Sequence, residues 1–427
     1  MSIRERPKLL TKYDLIDAIA SGCKPRGHWR MGLEHEQFVY NKETSMPLPY
    51  DGAPGIKQLL EFLSENRGWD GKKYEGENLI ALYKGSQSIT IEPAGQFELS
   101  GAPHKTIKDM VSEHQNYMQD LDTACDHLGL EYKSIGFPKN WKRNDMYWMP
   151  KARYKIMREY MPKRGKLGLD MMTRTCGSQI NLDFESEMDM VRKYRITVAL
   201  QPIMTALFAN SNMVDGQESG YASYRSHIWE DTDPDRSGIL PFIFDDGMGF
   251  ERYVDYALDV PMYFIERNGQ LIDMTGKTFR DFMNGSLPEN KTHEATLKDW
   301  EDHLTTVFPE VRLKKYLELR GTDSVPAPLL YALAAFWVGL LYTEDTLCEA
   351  EELIKDWSVE DHQKFRHDVA RLGINTPVPQ QNQSIQNFCP IVIDIAERGL
   401  ASLKEDQGEG LQYLDMLYPE ELKKTLP

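Results

Sequence analysis

The chain has 427 residues, 41% of them hydrophobic and 27% charged, enough for a large packed core and, by length, for two or three domains. Acidic residues outnumber basic ones 66 to 50, and a formal charge of −16 repels polyphosphate backbones, which argues against nucleic acid as a partner. The five cysteines (Cys23, Cys125, Cys176, Cys348 and Cys389) are scattered and form no C-x-x-C, fitting a reducing cytosol and neither a disulfide scaffold nor a zinc cluster.

The opening stretch MSIRERPKLLTKYDLIDA has no apolar core of the signal-peptide kind. Residues 11–22 read as a short amphipathic helix ending at Gly22. In GLEHEQFVY (32–40) an extended chain puts Glu34, Glu36 and Phe38 on one face and Leu33, His35, Gln37 and Val39 on the other. Two carboxylates on one strand face repel each other, and folding alone supplies no reason for them. SITIEP (88–93) and QFELS (96–100) alternate in the same way, placing Glu92 and Glu98 an even number of residues apart with Gln96 between. Pro93 and Gly95 are candidates for a bulge that upsets this phase.

Helical periodicity is clearest at 104–129, closing on Gly129, and at 186–213. Between them, SQINLDF (178–184) gathers Gln179, Asn181 and Asp183 on one face. MYFIER (262–267) reads as a strand, and YLELRG (316–321), if extended, sets Glu318 and Arg320 opposite Leu317 and Leu319. The longest apolar run, LLYALAAFWVGLLY (329–342), is too short to span a bilayer and predicts a buried helix, so no membrane association is expected. Almost everything after 326 reads as helix, with a loop at 375–384. Strands and long helices in a non-βαβ rhythm predict an α+β protein around a mainly antiparallel sheet. The expected organisation is a sheet-and-helix core over 1–325 and a helical region over 326–427 packed on it as one structural unit.

Solvated strand faces usually carry Thr, Lys and Ser, so four segments rich in Glu, Gln, Asn and Arg point to a shared site. If these strands are neighbours, Glu34, Glu36, Glu92, Glu98 and Glu318 converge and push one another's pKa values up. Hard divalent cations, Mg²⁺ or Mn²⁺, resolve that conflict and characteristically bridge carboxylates to phosphates. The inferred chemistry is phosphoryl transfer from a metal-bound nucleotide, with Arg320 as a phosphate clamp. Arg225 and Trp229, four apart in GYASYRSHIWEDTDPDRSG (220–238), set a guanidinium beside an aromatic wall and suit an amino-acid carboxylate. His35 is expected to pack on the opposite face, and Met171 and Met172 to fill core.

Other motifs fail on inspection. TGKT (275–278) has Leu271 where a nucleotide loop needs glycine, and GMGFER (247–252) ends in Arg where a dinucleotide fingerprint needs Gly. DTDPDR (231–236) has Arg236 and Phe242 at the glycine and glutamate positions of a calcium loop. Asn290-Lys291-Thr292 fits a glycosylation acceptor by letters only. A glycosidase needs two carboxylates rather than five with an arginine.

WRMGLEHEQF, SITIEPAGQFELSGAP, LGLDMMTRTCGSQINLDF, RSHIWEDTDPDRSG, RYVDYALDVPMYF and FPEVRLKKYLELRG resemble the successive motifs of plant-type glutamate–cysteine ligases, which also occur in some bacteria. The resemblance implies a glutamine synthetase-like fold, a strongly curved and mainly antiparallel sheet whose concave face holds ATP, glutamate and Mg²⁺. It implies the reaction of ATP, L-glutamate and L-cysteine to γ-glutamylcysteine, ADP and phosphate, the first step of glutathione biosynthesis; from the scattered cysteines and the N-terminal letters the expected location is cytoplasmic, as a monomer or homodimer. Carried over residue by residue, the resemblance makes Glu34, Glu36, Glu92, Glu98 and Glu318 metal ligands. Gln179, Asn181 and Arg320 become nucleotide contacts, with Glu36 and Arg320 at the chemistry. Arg153, Arg225, Trp229 and Tyr263 become the amino-acid pocket.

The acyl phosphate so formed must be kept from water, and no enzyme nucleophile is needed. Cys176 is therefore expected to pack beside the site without taking part. The cysteine pairs that act as redox switches in the plant enzymes fall at Val111 with Tyr331 and at Met274 with Glu289, so disulfide control of that kind is not expected. Two alternatives remain: a ligase of the same fold that joins glutamate to a different amine, and a catalytically silent scaffold.

Overall fold

The computed structural model describes residues 9–285, 293–403 and 408–418; Glu289 and the Asn290 acceptor letters lie outside them. Among the described residues nine strands form the main sheet. They are β1 (Met31–Asn41), β2 (Gly71–Glu75), β3 (Asn78–Lys84), β4 (Gln87–Ile91), β5 (Phe97–Ser100), β6 (Leu130–Lys133), β7 (Gly177–Leu182), β8 (Val311–Leu313) and β9 (Leu317–Asp323). Their spatial order is β8-β9-β7-β1-β5-β4-β3-β2, with β6 beside the far half of β1, and every pairing in this sheet is antiparallel. The fold is α+β.

Alternation along the strands separates two faces. Leu33, Ile180, Leu182, Leu317 and Leu319 point to one, where they are buried in a common apolar cluster with the Glu187–Leu207 and Leu329–Leu341 helices. Leu329–Leu341 is apolar all round, the signature of a helix buried on every side. It crosses the Ile385–Ser402 helix at two glycines, where a Cβ on Gly399 would lie 1.8 Å from the Gly339 carbonyl oxygen. His35 also lies on this face. Its Nδ1 is 3.0 Å from His114 Nε2, and His114 Nδ1 is 3.0 Å from Tyr331 Oη. Burial keeps both rings neutral, holding His35 well below its ordinary pKa and His114 down at about 4.

Local signals account for the element ends. Thr11 and Asp14 form a capping box on the Lys12–Ala20 helix, and Gly129 closes the Ile107–Leu128 helix in the left-handed region at φ 67°. The helix expected over 186–213 stops at Leu207, because the chain turns to let Asn210 Nδ2 reach the carbonyls of Ser134 and Ser324, both at 3.0 Å. MYFIER forms only Phe264–Arg267, which pairs with Gln270–Asp273 as a separate hairpin and not in the main sheet. Past residue 326 come four long helices, Leu329–Leu341, Glu344–Ile354, Val359–Leu372 and Ile385–Ser402, with an irregular stretch ahead of the last. Val111, Met274 and Tyr331 are core residues. Among the described residues no helix is long and apolar enough to cross a membrane.

Candidate active site

The other face of the sheet is polar and walls a cavity of about 200 Å³. Register brings its carboxylates together: Glu36 stands opposite Glu98 across β1 and β5, and Glu34 opposite Gln179 across β1 and β7. Glu92 joins them from the β4–β5 turn. There Gly95, at φ 83°, lets the chain reverse while its N–H donates to the Glu92 carbonyl at 2.9 Å. Glu34, Glu36, Glu92 and Glu98 all line the cavity.

Their electrostatics are unfavourable as they stand. Burial raises the Glu36 carboxyl to about 7, with Glu92 adding to the shift and Arg225 opposing it. Burial and then the charges of Glu92, Glu34 and Glu36 push Glu98 well above the usual range. Burial followed by Glu318 raises Glu34. Each of the three is held by a different donor. Asn181 Nδ2 donates to Glu34 at 2.8 Å, the Gly177 amide to Glu36 at 2.5 Å, and Thr90 Oγ1 to Glu98 at 3.0 Å. Among the described residues no three His, Cys, Asp or Glu side chains are arranged to hold a metal ion. The donor set itself, buried carboxylates that ionise together only beside positive charge, fits a hard divalent cation.

Glu318 behaves differently. It is fully buried, opposite Asn181 in β7 and Arg312 in β8. Arg312 Nη2 donates to its Oε1 at 2.5 Å and Lys314 Nζ to its Oε2 at 2.7 Å, and Arg320 forms a third ion pair. Burial opposes its ionisation, but these three cations outweigh that and hold its pKa well below normal. The expectation of a free metal ligand at Glu318 is therefore redirected: both its oxygens serve a basic cluster. Through it the sheet presents Arg312 and Arg320 to the cavity. Arg320 Nη1 also donates to Gln179 Oε1 at 2.7 Å.

Arg225, Trp229 and Arg153, from elements outside the sheet, complete the wall of the cavity. Arg225 is almost wholly buried and donates through Nη2 to the Arg320 carbonyl at 3.1 Å. Arg225 Nε, Arg153 Nε and Trp229 Nε1 are buried donors with no hydrogen-bond partner among the described residues. A buried donor left unpaired costs about 1–3 kcal/mol, so a wall with three of them is built to meet acceptors that arrive with a ligand. Arg153 Nη2 lies 3.8 Å from Glu92.

Tyr263 is not part of this cavity. It is buried in the core beneath the Arg236 guanidinium, 4.0 Å from its ring centroid, with its hydroxyl 3.5 Å from Met161 Sδ. Asn181 reaches the site only through Glu34, and Asp183, past the end of β7, accepts instead from Lys24 Nζ at 2.6 Å and the Arg30 amide at 2.8 Å. The Cys176 thiol is buried, and burial together with Glu36 pushes its pKa well up, which suits packing and not chemistry. Sequence reasoning missed Arg312 and Lys314. The near-mirror letters VRL-KKY-LEL, a hairpin across Lys314–Tyr316, were the available signal. Met171 and Met172 pack in an apolar core cluster, as expected, and in addition line the cavity.

This site and fold place the chain in a class of known proteins. It belongs to glutamate–cysteine ligase family 2, whose model matches residues 30–380. It is 50% identical over 391 residues to the chloroplastic glutamate–cysteine ligase of Medicago truncatula, covering 92% of this chain and 76% of that one. The chloroplastic ligase of Arabidopsis thaliana is 49% identical over 391 residues, covering 92% and 74%. In fold it is similar to the glutamate–cysteine ligase of Francisella tularensis solved with AMP, with a TM-score of 0.53 at 14% identity over 93% of this chain and 81% of that one.

Proposed function

We propose that this chain joins the γ-carboxylate of L-glutamate to the amine of L-cysteine, driven by ATP, and so makes γ-glutamylcysteine for glutathione biosynthesis. One observation carries the reading. A single cavity sets a buried group of carboxylates and phosphate-suited arginines against a wall of unpaired Arg and Trp donors. That arrangement lets one anion approach another. The identity of the amine rests on the ligases to which the chain is similar.

In the first step a γ-carboxylate oxygen of glutamate bonds to the γ-phosphorus of ATP, the bond from that phosphorus to the bridging oxygen breaks, and ADP leaves. In the second the cysteine nitrogen bonds to the acyl carbon, the carbon–oxygen bond breaks, phosphate leaves, and the nitrogen sheds a proton. Arg320 and Arg312 neutralise charge on the phosphate side, and both are held rigid by Glu318. Arg225 and Trp229 hold the amino-acid end, Arg225 gripping a carboxylate through its free edge. Glu34, Glu36, Glu92 and Glu98 would hold Mg²⁺ or Mn²⁺, which supplies positive charge between phosphate and carboxylate when bound. Met171, Met172 and Trp229 give the cavity apolar surface that keeps water from the acyl phosphate. The free thiols suit a reducing compartment, and the cytoplasm is the proposed location.

The route is open to an isotope test. Glutamate labelled with ¹⁸O in its γ-carboxylate should transfer one labelled oxygen to each phosphate released. Unlabelled phosphate at full turnover would remove the acyl phosphate from the mechanism.

A further inference from the structure

Asp323, the last residue of β9, is completely buried, yet it serves none of the roles assigned above. Its carboxylate accepts three hydrogen bonds: from Ser223 Oγ at 2.8 Å, Ser211 Oγ at 2.6 Å and the Asn210 amide at 2.7 Å. Both serines serve one short helix, Tyr224–Glu230, which carries Arg225 and Trp229. Ser223 Oγ caps it by accepting from the Ser226 amide at 3.0 Å, and Ser211 Oγ accepts from the Arg225 amide at 3.1 Å. Asp323 is also the strongest negative charge acting on the Arg225 guanidinium, ahead of Glu36.

The surroundings are cut to admit both side chains. A Cβ on Gly136 would lie 2.4 Å from Asp323 Cγ, and one on Gly177 would lie 2.5 Å from Arg225 Nη2. An irregularity in β9 between Leu319 and Thr322 takes Arg320 out of register, and its carbonyl accepts from Arg225 Nη2. A serine caps a helix without help from a buried carboxylate, and burying that charge is costly. Helix capping alone therefore does not explain Asp323.

We propose that Asp323 is a positioning residue. Through Ser211 and Ser223, and by its own charge, it fixes the aim of the Arg225 guanidinium toward the amino-acid carboxylate without touching substrate. The inference rests on the reading of Arg225 as the glutamate clamp.

The test is Asp323→Asn in the full chain, which keeps the shape and removes the charge and an acceptor. Steady-state rates with glutamate, ATP and cysteine varied in turn are read beside calorimetric glutamate binding and melting temperature. The expected result is a KM and Kd for glutamate raised about tenfold, with the KM values for ATP and cysteine within about twofold of wild type. Ser223→Ala and Ser211→Ala should shift glutamate in the same direction by less. In Arg225→Lys the added Asp323→Asn change should cost little more, because the two act as one unit. Unchanged glutamate affinity in Asp323→Asn overturns the proposal, as does a rise in all three KM values in step with lost melting temperature. If Asp323→Asn does not fold, unchanged glutamate affinity in both serine variants overturns it. Wild type that binds glutamate but releases no ADP overturns the ligase reading alone.

Discussion

Glu36→Gln is expected to lower kcat/KM by about a thousandfold, equivalent to ~4 kcal/mol of transition-state stabilisation, while leaving the melting temperature unchanged or raised. The two halves of this result have one cause. Glu36 is packed among Glu92, Glu98 and Glu34 in a place where burial, helped by the charge of Glu92 and only partly offset by Arg225, pushes its carboxyl up to about 7, so its charge works against folding. A neutral amide oxygen still accepts from the Gly177 amide, and the strand register opposite Glu98 is untouched. What is lost is anionic oxygen for a cation to bind. The loss of turnover should therefore come with a weaker dependence on Mg²⁺ concentration, read by titrating the metal at saturating ATP and glutamate. Normal turnover with unchanged metal dependence would show that Glu36 is not a metal-side residue.

Arg225→Ala should raise the KM for glutamate about a hundredfold, near 3 kcal/mol, and leave the KM for ATP within a few-fold. Removing the guanidinium takes away the free Nε edge, the bond to the Arg320 carbonyl and the charge that opposes ionisation costs at Glu36. Arg225→Lys keeps a charge without the planar fork, so it should recover only part of the loss. Initial rates with glutamate and ATP varied separately decide the matter. Equal increases in both KM values would mean that the substitution disturbs the cavity as a whole.

Much of this site was legible in the letters, for a simple reason. Period-two alternation is rigid, so Glu34, Glu36 and Glu98 had to share a face once their segments were strands, and β1 between β5 and β7 did the rest. Glu92 escaped that logic because it lies in the turn after β4, yet the turn at Gly95 returns it to the same cavity. Partner choice was not legible. Alternation gave Glu318 a polar face but could not show that hairpin closure pairs it with Arg312, which turns a carboxylate expected on metal into the anchor of a basic cluster.

Tyr263 shows the other limit. Its motif lies near functional motifs in sequence, but the strand that follows it pairs into a separate hairpin and Arg236 covers the ring. The helix that stops at Leu207 and not near 213 was set by tertiary bonds to Asn210 that no local propensity encodes. Met171 and Met172 carried letters that serve core and cavity wall alike.

The central claim, that this face activates a glutamate carboxylate for attack by the amine of cysteine, is tested most directly by purified protein with ATP, Mg²⁺, glutamate and a panel of amines. Glutamate-dependent ADP release should be fastest with cysteine, with γ-glutamylcysteine formed in equal amount. Faster turnover with another amine would contradict the assignment of cysteine, and ADP release with none of them would contradict the account of the site itself.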